Sequence, residues 1–198
     1  MSLLLETIRC ENRRFHNLEL HSSRMNQARK TLFNATREID LSRVLELPDN
    51  VGNDRHKCRV TYDLDIRTVE FERYTLKPMR SLALVEVSGL DYRFKYADRT
   101  RLLKLAEKRG NADGILMARD GHITDTSYAN VAFYDGSGWF TPSTFLLAGT
   151  KRRQLLDLGI IAECSIRVAD MLSFEKLTLI NALIDLGEVE VETSSIIL

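Results

Sequence analysis

The sequence predicts an α+β fold in two lobes, a small α/β lobe over residues 1–77 and a larger, mostly antiparallel, barrel-like lobe over 78–198. Three observations carry this expectation. Pro78 interrupts the strand pattern and marks a lobe boundary, because a proline cannot donate to a ladder. Asp120-Gly121 and Asp135-Gly136-Ser137-Gly138 each separate two apolar runs, and consecutive hairpins of this kind build antiparallel sheet that can curl into a barrel. Helical periodicity recurs between the strand runs in both halves.

In chain order, residues 3–9 and the run from Phe15 read as a short hairpin turning near Glu11-Asn12-Arg13. His21 to Arg37 reads as an amphipathic helix, with Met25, Ala28 and Leu32 on one stripe and Arg24, Gln27 and Arg37 beside it. Pro48 to Asp54 is a loop by its Asp, Asn and Gly content. Cys58 to Phe71 alternates as a strand that bends at Asp63–Asp65. Ser81 to Val87 is apolar on both faces, as a buried strand is.

Lys95 then sits between aromatic neighbours, ahead of a helix from Thr100 to Arg109 that Gly110 stops. The two hairpins follow. Thr150 is the expected N-cap of a helix that ends before Gly159. Val168 to Lys176 is a short helix, and Leu177 to Leu183 a buried strand carrying Asn181.

Composition narrows the function. With 28 Lys+Arg against 28 Asp+Glu, the formal net charge is zero, and bulk nucleic-acid binding lacks the basic excess that displaces counterions. Arg24, Arg29 and Lys30 read as a solvated helix face. Cys10, Cys58 and Cys164 are odd in number and widely spaced, with no CxxC or Cys/His pairing for a metal, so a reduced, cytoplasmic setting is expected. No apolar run is long enough to cross a bilayer, and Met1-Ser2-Leu3 is not a signal peptide. A small-molecule substrate, and neither nucleic acid nor membrane, is the expected partner.

Four features bear on chemistry. A lysine held by aromatics can be a desolvated amine able to attack a carbonyl, or simply a solvated surface lysine. Asp125 can serve as a carboxylate opposite it or cap a strand end. The amides after Gly149 suit an anion, or merely begin a capped helix. Arg24 supplies a cation on an early helix. Together these groups match what pyridoxal phosphate requires, although spacing alone does not single out that cofactor.

The motifs go further. Leu4-Leu5-Glu6-Thr7-Ile8-Arg9, His21-Ser22-Ser23-Arg24-Met25, Lys95 with Arg99, Ile123-Thr124-Asp125-Thr126-Ser127-Tyr128-Ala129-Asn130 and Leu147-Ala148-Gly149-Thr150-Lys151-Arg152 fall in order along the chain. In them the chain resembles the class IV aminotransferase family, the fold-type IV pyridoxal-phosphate enzymes. That family includes aminodeoxychorismate lyase and the branched-chain and D-amino-acid aminotransferases. The resemblance implies pyridoxal 5'-phosphate as cofactor and Lys95 as its Schiff-base and catalytic lysine. It implies cofactor contacts from Arg24, Asp125, Asn130, Gly149, Thr150, Lys151 and Asn181, with Arg24 at the phosphate and Asp125 at the pyridine nitrogen.

By the same resemblance the substrate is an amino acid or amino-substituted acid, the reaction a lyase step releasing pyruvate and 4-aminobenzoate, and the assembly a homodimer. The alternatives are transamination, or cofactor binding with little turnover. Arg59, Tyr92 and Arg99 are further candidates for a substrate carboxylate. The chain departs from the family in three respects. Asp125 replaces a Glu, Lys151 replaces a Thr, and the chain begins at the first strand motif, so a small lobe without the preceding hairpin is expected.

Overall fold

The computed structural model describes residues 2–198, which form two compact units. One runs up to Leu76 and also takes in Phe94–Asp98; the other comprises Lys77–Arg93 and Arg99–Leu198.

The first unit contains β1 (Leu4–Glu11), β2 (Arg14–Phe15), α1 (Leu18–Phe33), α2 (Leu41–Val44), β3 (His56–Tyr62) and β4 (Ile66–Arg73). Its antiparallel sheet has the order β2-β1-β3-β4. Asn12 and Arg13 both take positive φ at the expected tight turn. The core joins Leu4 and Ile8 of β1, Met25 and Ala28 of α1, Leu41, and Cys58, Val60 and Tyr62 of β3. Each fully buried aliphatic side chain contributes roughly 1.5–3 kcal/mol.

Three expectations need correction here. Helix α1 starts at Leu18 and stops at Phe33, because Asn17 and Asn34 both adopt left-handed backbone, which Asn tolerates better than most residues. Its buried stripe is His21, Met25, Ala28 and Arg29, and Leu32 is left exposed. Arg29 is therefore no part of a solvated face; its Nε donates to the Leu64 carbonyl and its Nη1 to Asn26 Oδ1 and the Arg37 carbonyl.

The expected bent strand is in fact a hairpin. The chain reverses at Asp63–Asp65, where the Asp63 amide donates to the Asp65 carbonyl and the Asp65 amide to Asp63 Oδ1. Alternation continues on both sides of that reversal, so periodicity alone hid it.

The second unit contains β5 (Leu82–Glu86), α3 (Thr100–Ala106), β6 (Gly114–Arg119), β7 (His122–Thr126), β8 (Asn130–Tyr134) and β9 (Trp139–Pro142). It continues with α4 (Thr150–Asp157), β10 (Ala162–Cys164), β11 (Lys176–Ile180), β12 (Glu190–Glu192) and β13 (Ile196–Ile197). One sheet has the order β13-β5-β6-β7 and the other β10-β9-β8-β11-β12. The two do not close into a barrel.

Both hairpins form where expected, with Asp120 and Gly121 both at positive φ between β6 and β7. The sheets are more mixed than local signals suggest, since β5 lies parallel to both β6 and β13, and β10 parallel to β9. Such pairing follows from β5 being apolar on both faces. The short helix after Val168 is a 3-10 helix ending at Ser173. No helix among the described residues is long and apolar enough to cross a membrane.

Candidate active site

In the first unit, Lys95 lies on a segment added to the outer edge of β1. The Leu5 amide donates to the Lys95 carbonyl at 2.9 Å and the Ala97 amide to the Leu3 carbonyl at 2.9 Å, with Tyr96 opposite Leu4. Phe94 and Tyr96 meet edge-on at 6.4 Å and pack on the core around Leu4. Lys95 is half-buried.

The Thr7 face of the same sheet carries Arg59, which pairs with Thr7, and Lys57, which pairs with Arg9. Lys57 is held by Glu72 at 2.6 Å and Arg9 by Glu11, while Arg59 has Glu70 opposite it on β4. Each of these cations thus has a carboxylate beside or opposite it.

Arg24 emerges from α1. Its Nε donates to Glu6 Oε1 at 2.9 Å and its Nη2 to Glu6 Oε2, and His21 Nδ1 approaches Glu6 Oε2 at 2.6 Å. Glu6 and His21 are both completely buried. Burial alone would raise the Glu6 carboxyl, but the Arg24 guanidinium and the His21 ring outweigh it and hold the group at about 2. Burial likewise pushes His21 below its ordinary range; Glu6 opposes that shift, and the charges of Arg24 and Lys95 add to it. Arg24 and Lys95 thus act on a common neighbour.

In the second unit, the end of β7 supplies Asp125 and the start of β8 supplies Asn130, and the chain ahead of α4 closes over them. Asp125 Oδ2 accepts from the Leu146 and Leu147 amides, each at 3.0 Å. Asn130 Nδ2 donates both to Asp125 Oδ1 at 2.8 Å and to the Leu147 carbonyl at 2.9 Å. Burial pushes the Asp125 carboxyl up to about 6, although these donors pull against it. A carboxylate offers about four acceptor positions, and three are taken.

Gly149 completes the cluster, since a Cβ there would lie 1.9 Å from Asn130 Oδ1. Gly149, not Thr150, is the N-cap of α4, in extended backbone without a side-chain cap. Thr150 is the first helical residue and is buried, so its hydroxyl is not the cap that the sequence suggests.

The Lys151 side chain turns elsewhere within the second unit: its Nζ donates to Asp185 at 2.6 Å, leaving its backbone as its link to the helix start. Asn181 Oδ1 accepts from the Leu183 amide at 2.8 Å, closing the turn in which Asn181 pairs with Ile184, while its Nδ2 donates to the Tyr128 carbonyl at 3.4 Å, between Asp125 and Asn130. Arg99 Nη2 donates to the Ser127 carbonyl at 2.6 Å, which makes it a brace for the turn between β7 and β8. Sequence reasoning assigned nothing to Glu6 or to His21. The available signal was an acid at an inward position of an apolar strand, followed by His21 and Arg24 three residues apart on one helix face.

Residues 93–190 match the family described as Amino-transferase class IV. The chain is also 32% identical over 182 residues to an uncharacterized protein of Haemophilus influenzae, covering 91% of this chain and 97% of that one. The chain belongs to the class IV aminotransferase family.

Among solved structures, a proposed 4-amino-4-deoxychorismate lyase from Haemophilus somnus 129PT matches with a TM-score of 0.86 and 28% identity, over 92% of this chain and 97% of that one. The PLP-bound form of a hypothetical aminotransferase from Mycobacterium tuberculosis shares the fold, with a TM-score of 0.78 at 16% identity, over 98% of this chain and 81% of that one.

Each unit, taken by itself, carries groups suited to a phosphorylated aldehyde. The first has a half-buried primary amine at Lys95 and a guanidinium at Arg24. The second has a helix start at Gly149 that tolerates no side chain and a buried carboxyl with one acceptor position left.

Proposed function

We propose that this chain is a pyridoxal-phosphate enzyme of the aminodeoxychorismate lyase type, acting on an amino-substituted acid to yield pyruvate and 4-aminobenzoate. One observation carries the reading: Lys95 is fixed to the edge of β1 through its own carbonyl, in the same unit as Arg24. The likeness to the Haemophilus somnus protein favours the lyase over a transaminase.

When bound, the cofactor supplies an electron sink for the carbanion left by proton loss. Lys95 would hold its aldehyde carbon and, once displaced by the substrate amine, take and return the proton at Nζ. Arg24 would meet the phosphate. In the second unit, the Thr150 and Lys151 amides at the start of α4 would do the same, beside Gly149 and Asn181. Asp125, held by Asn130, would offer its remaining acceptor position to the ring nitrogen.

Borohydride reduction of the protein loaded with pyridoxal phosphate, followed by peptide mapping, should place the label on Lys95. Lys95→Ala should lose the yellow absorption band while keeping its circular dichroism. A label on another lysine would refute the reading. Pyruvate released from aminodeoxychorismate without an amino acceptor identifies the lyase, whereas a requirement for a keto acid identifies a transaminase. A labelled but inactive protein would be a binder with little turnover.

A further inference from the structure

The proposed chemistry gives Glu6 no part, yet its carboxylate is wholly buried and holds both His21 and Arg24. A buried carboxylate is costly unless paired and hydrogen-bonded, and removing one partner leaves the other uncompensated. Here His21 and Arg24 lie three residues apart on the face of α1 that packs on β1, so one acid receives both.

The arrangement does more than neutralise a charge. Arg24 contributes two nitrogens, Nε and Nη2, to the two oxygens of Glu6, a fork that fixes the plane of the guanidinium as well as its position. His21 Nδ1 lies 2.6 Å from Glu6 Oε2 and gives the carboxylate a second anchor on α1. Within this trio the Glu6 and His21 side chains are 0% and 1% exposed, and only Arg24, at 17%, reaches towards solvent.

We propose that Glu6 is a positioning residue which, braced by His21, orients the Arg24 guanidinium so that the protein selects the phosphorylated form of its cofactor over the unphosphorylated aldehyde. This rests on the reading that Arg24 meets the phosphate. A purely structural Glu6 would only pin α1 to β1, and its loss would weaken binding of both forms equally.

Dissociation constants for pyridoxal phosphate and for pyridoxal, measured by absorption titration of the full chain, separate these cases. Wild-type protein should prefer the phosphorylated form. In Glu6→Gln the preference should shrink by about tenfold or more, through weaker binding of pyridoxal phosphate alone, as expected for a misaligned charged hydrogen bond.

Arg24→Lys keeps the charge but not the fork, so it should lose the same preference, and it serves where Glu6→Gln does not fold. An unchanged ratio in Arg24→Lys, or in folded Glu6→Gln, overturns the inference. Wild-type protein that binds both forms equally would instead remove the phosphate from Arg24, a different result that fells the underlying reading as well.

Discussion

Glu6 and Asp125 are both fully buried acids, and their environments drive them in opposite directions. Glu6 falls from 4.5 to about 2 on folding, so its contribution is fully present above pH 4.5 and is lost as pH falls towards 2. Asp125 rises from 3.8 to about 6, so the folded state takes up a proton that the unfolded chain does not. Its ionised form therefore costs stability above pH 6, and that cost is relieved as pH falls towards 4. Each swing is on the order of 3 kcal/mol. Urea unfolding across a pH series should show the Asp125→Asn variant lacking the gain between pH 6 and 4 that wild type shows. Glu6→Gln should lack the loss below pH 4.5. A wild-type profile superimposable on that of Asp125→Asn would refute the role given to Asp125.

At the scale of elements, the start of α4 depends on a close approach. Asn130 reaches across to the Leu147 carbonyl, and its amide oxygen fills the space where a side chain on Gly149 would stand. Gly149→Ala should cost about 1–3 kcal/mol in urea unfolding through overpacking. It should also weaken pyridoxal-phosphate binding more than pyridoxal binding, because the displaced amides are those at the helix start. Wild-type stability in that variant would mean that Asn130 moves away freely.

Elements with local signals were legible in the sequence. Asp120-Gly121 announces its hairpin because both residues accept positive φ, and Gly110 stops the α3 region in the same way. The parallel pairs of β5 with β6 and β13 carry no such mark, since partners so far apart in sequence meet only through the fold. Motif order singled out Lys95, Arg24 and Asp125 as candidates. It did not reveal that Lys151 pairs with Asp185 or that Asn181 closes its own turn, because those choices depend on neighbours brought in by β11 and the residues after it.

For the whole molecule, the decisive feature is how the chain is shared between its units. Residues 94–98 belong with β1, while both flanks of that segment belong to the other unit. A fragment of residues 1–76 therefore lacks the acceptor for the Leu5 amide and the donor to the Leu3 carbonyl. Hydrogen exchange should find the Leu5 amide unprotected in that fragment and protected in the full chain. Equal protection in both would show that β1 needs no help from the Lys95 segment.

A further consequence concerns inheritance. The amine proposed to do the chemistry is encoded after residue 76, yet it is built into a sheet encoded before it. A recombination breakpoint at residues 76–77 would part the lysine from the strand that seats it.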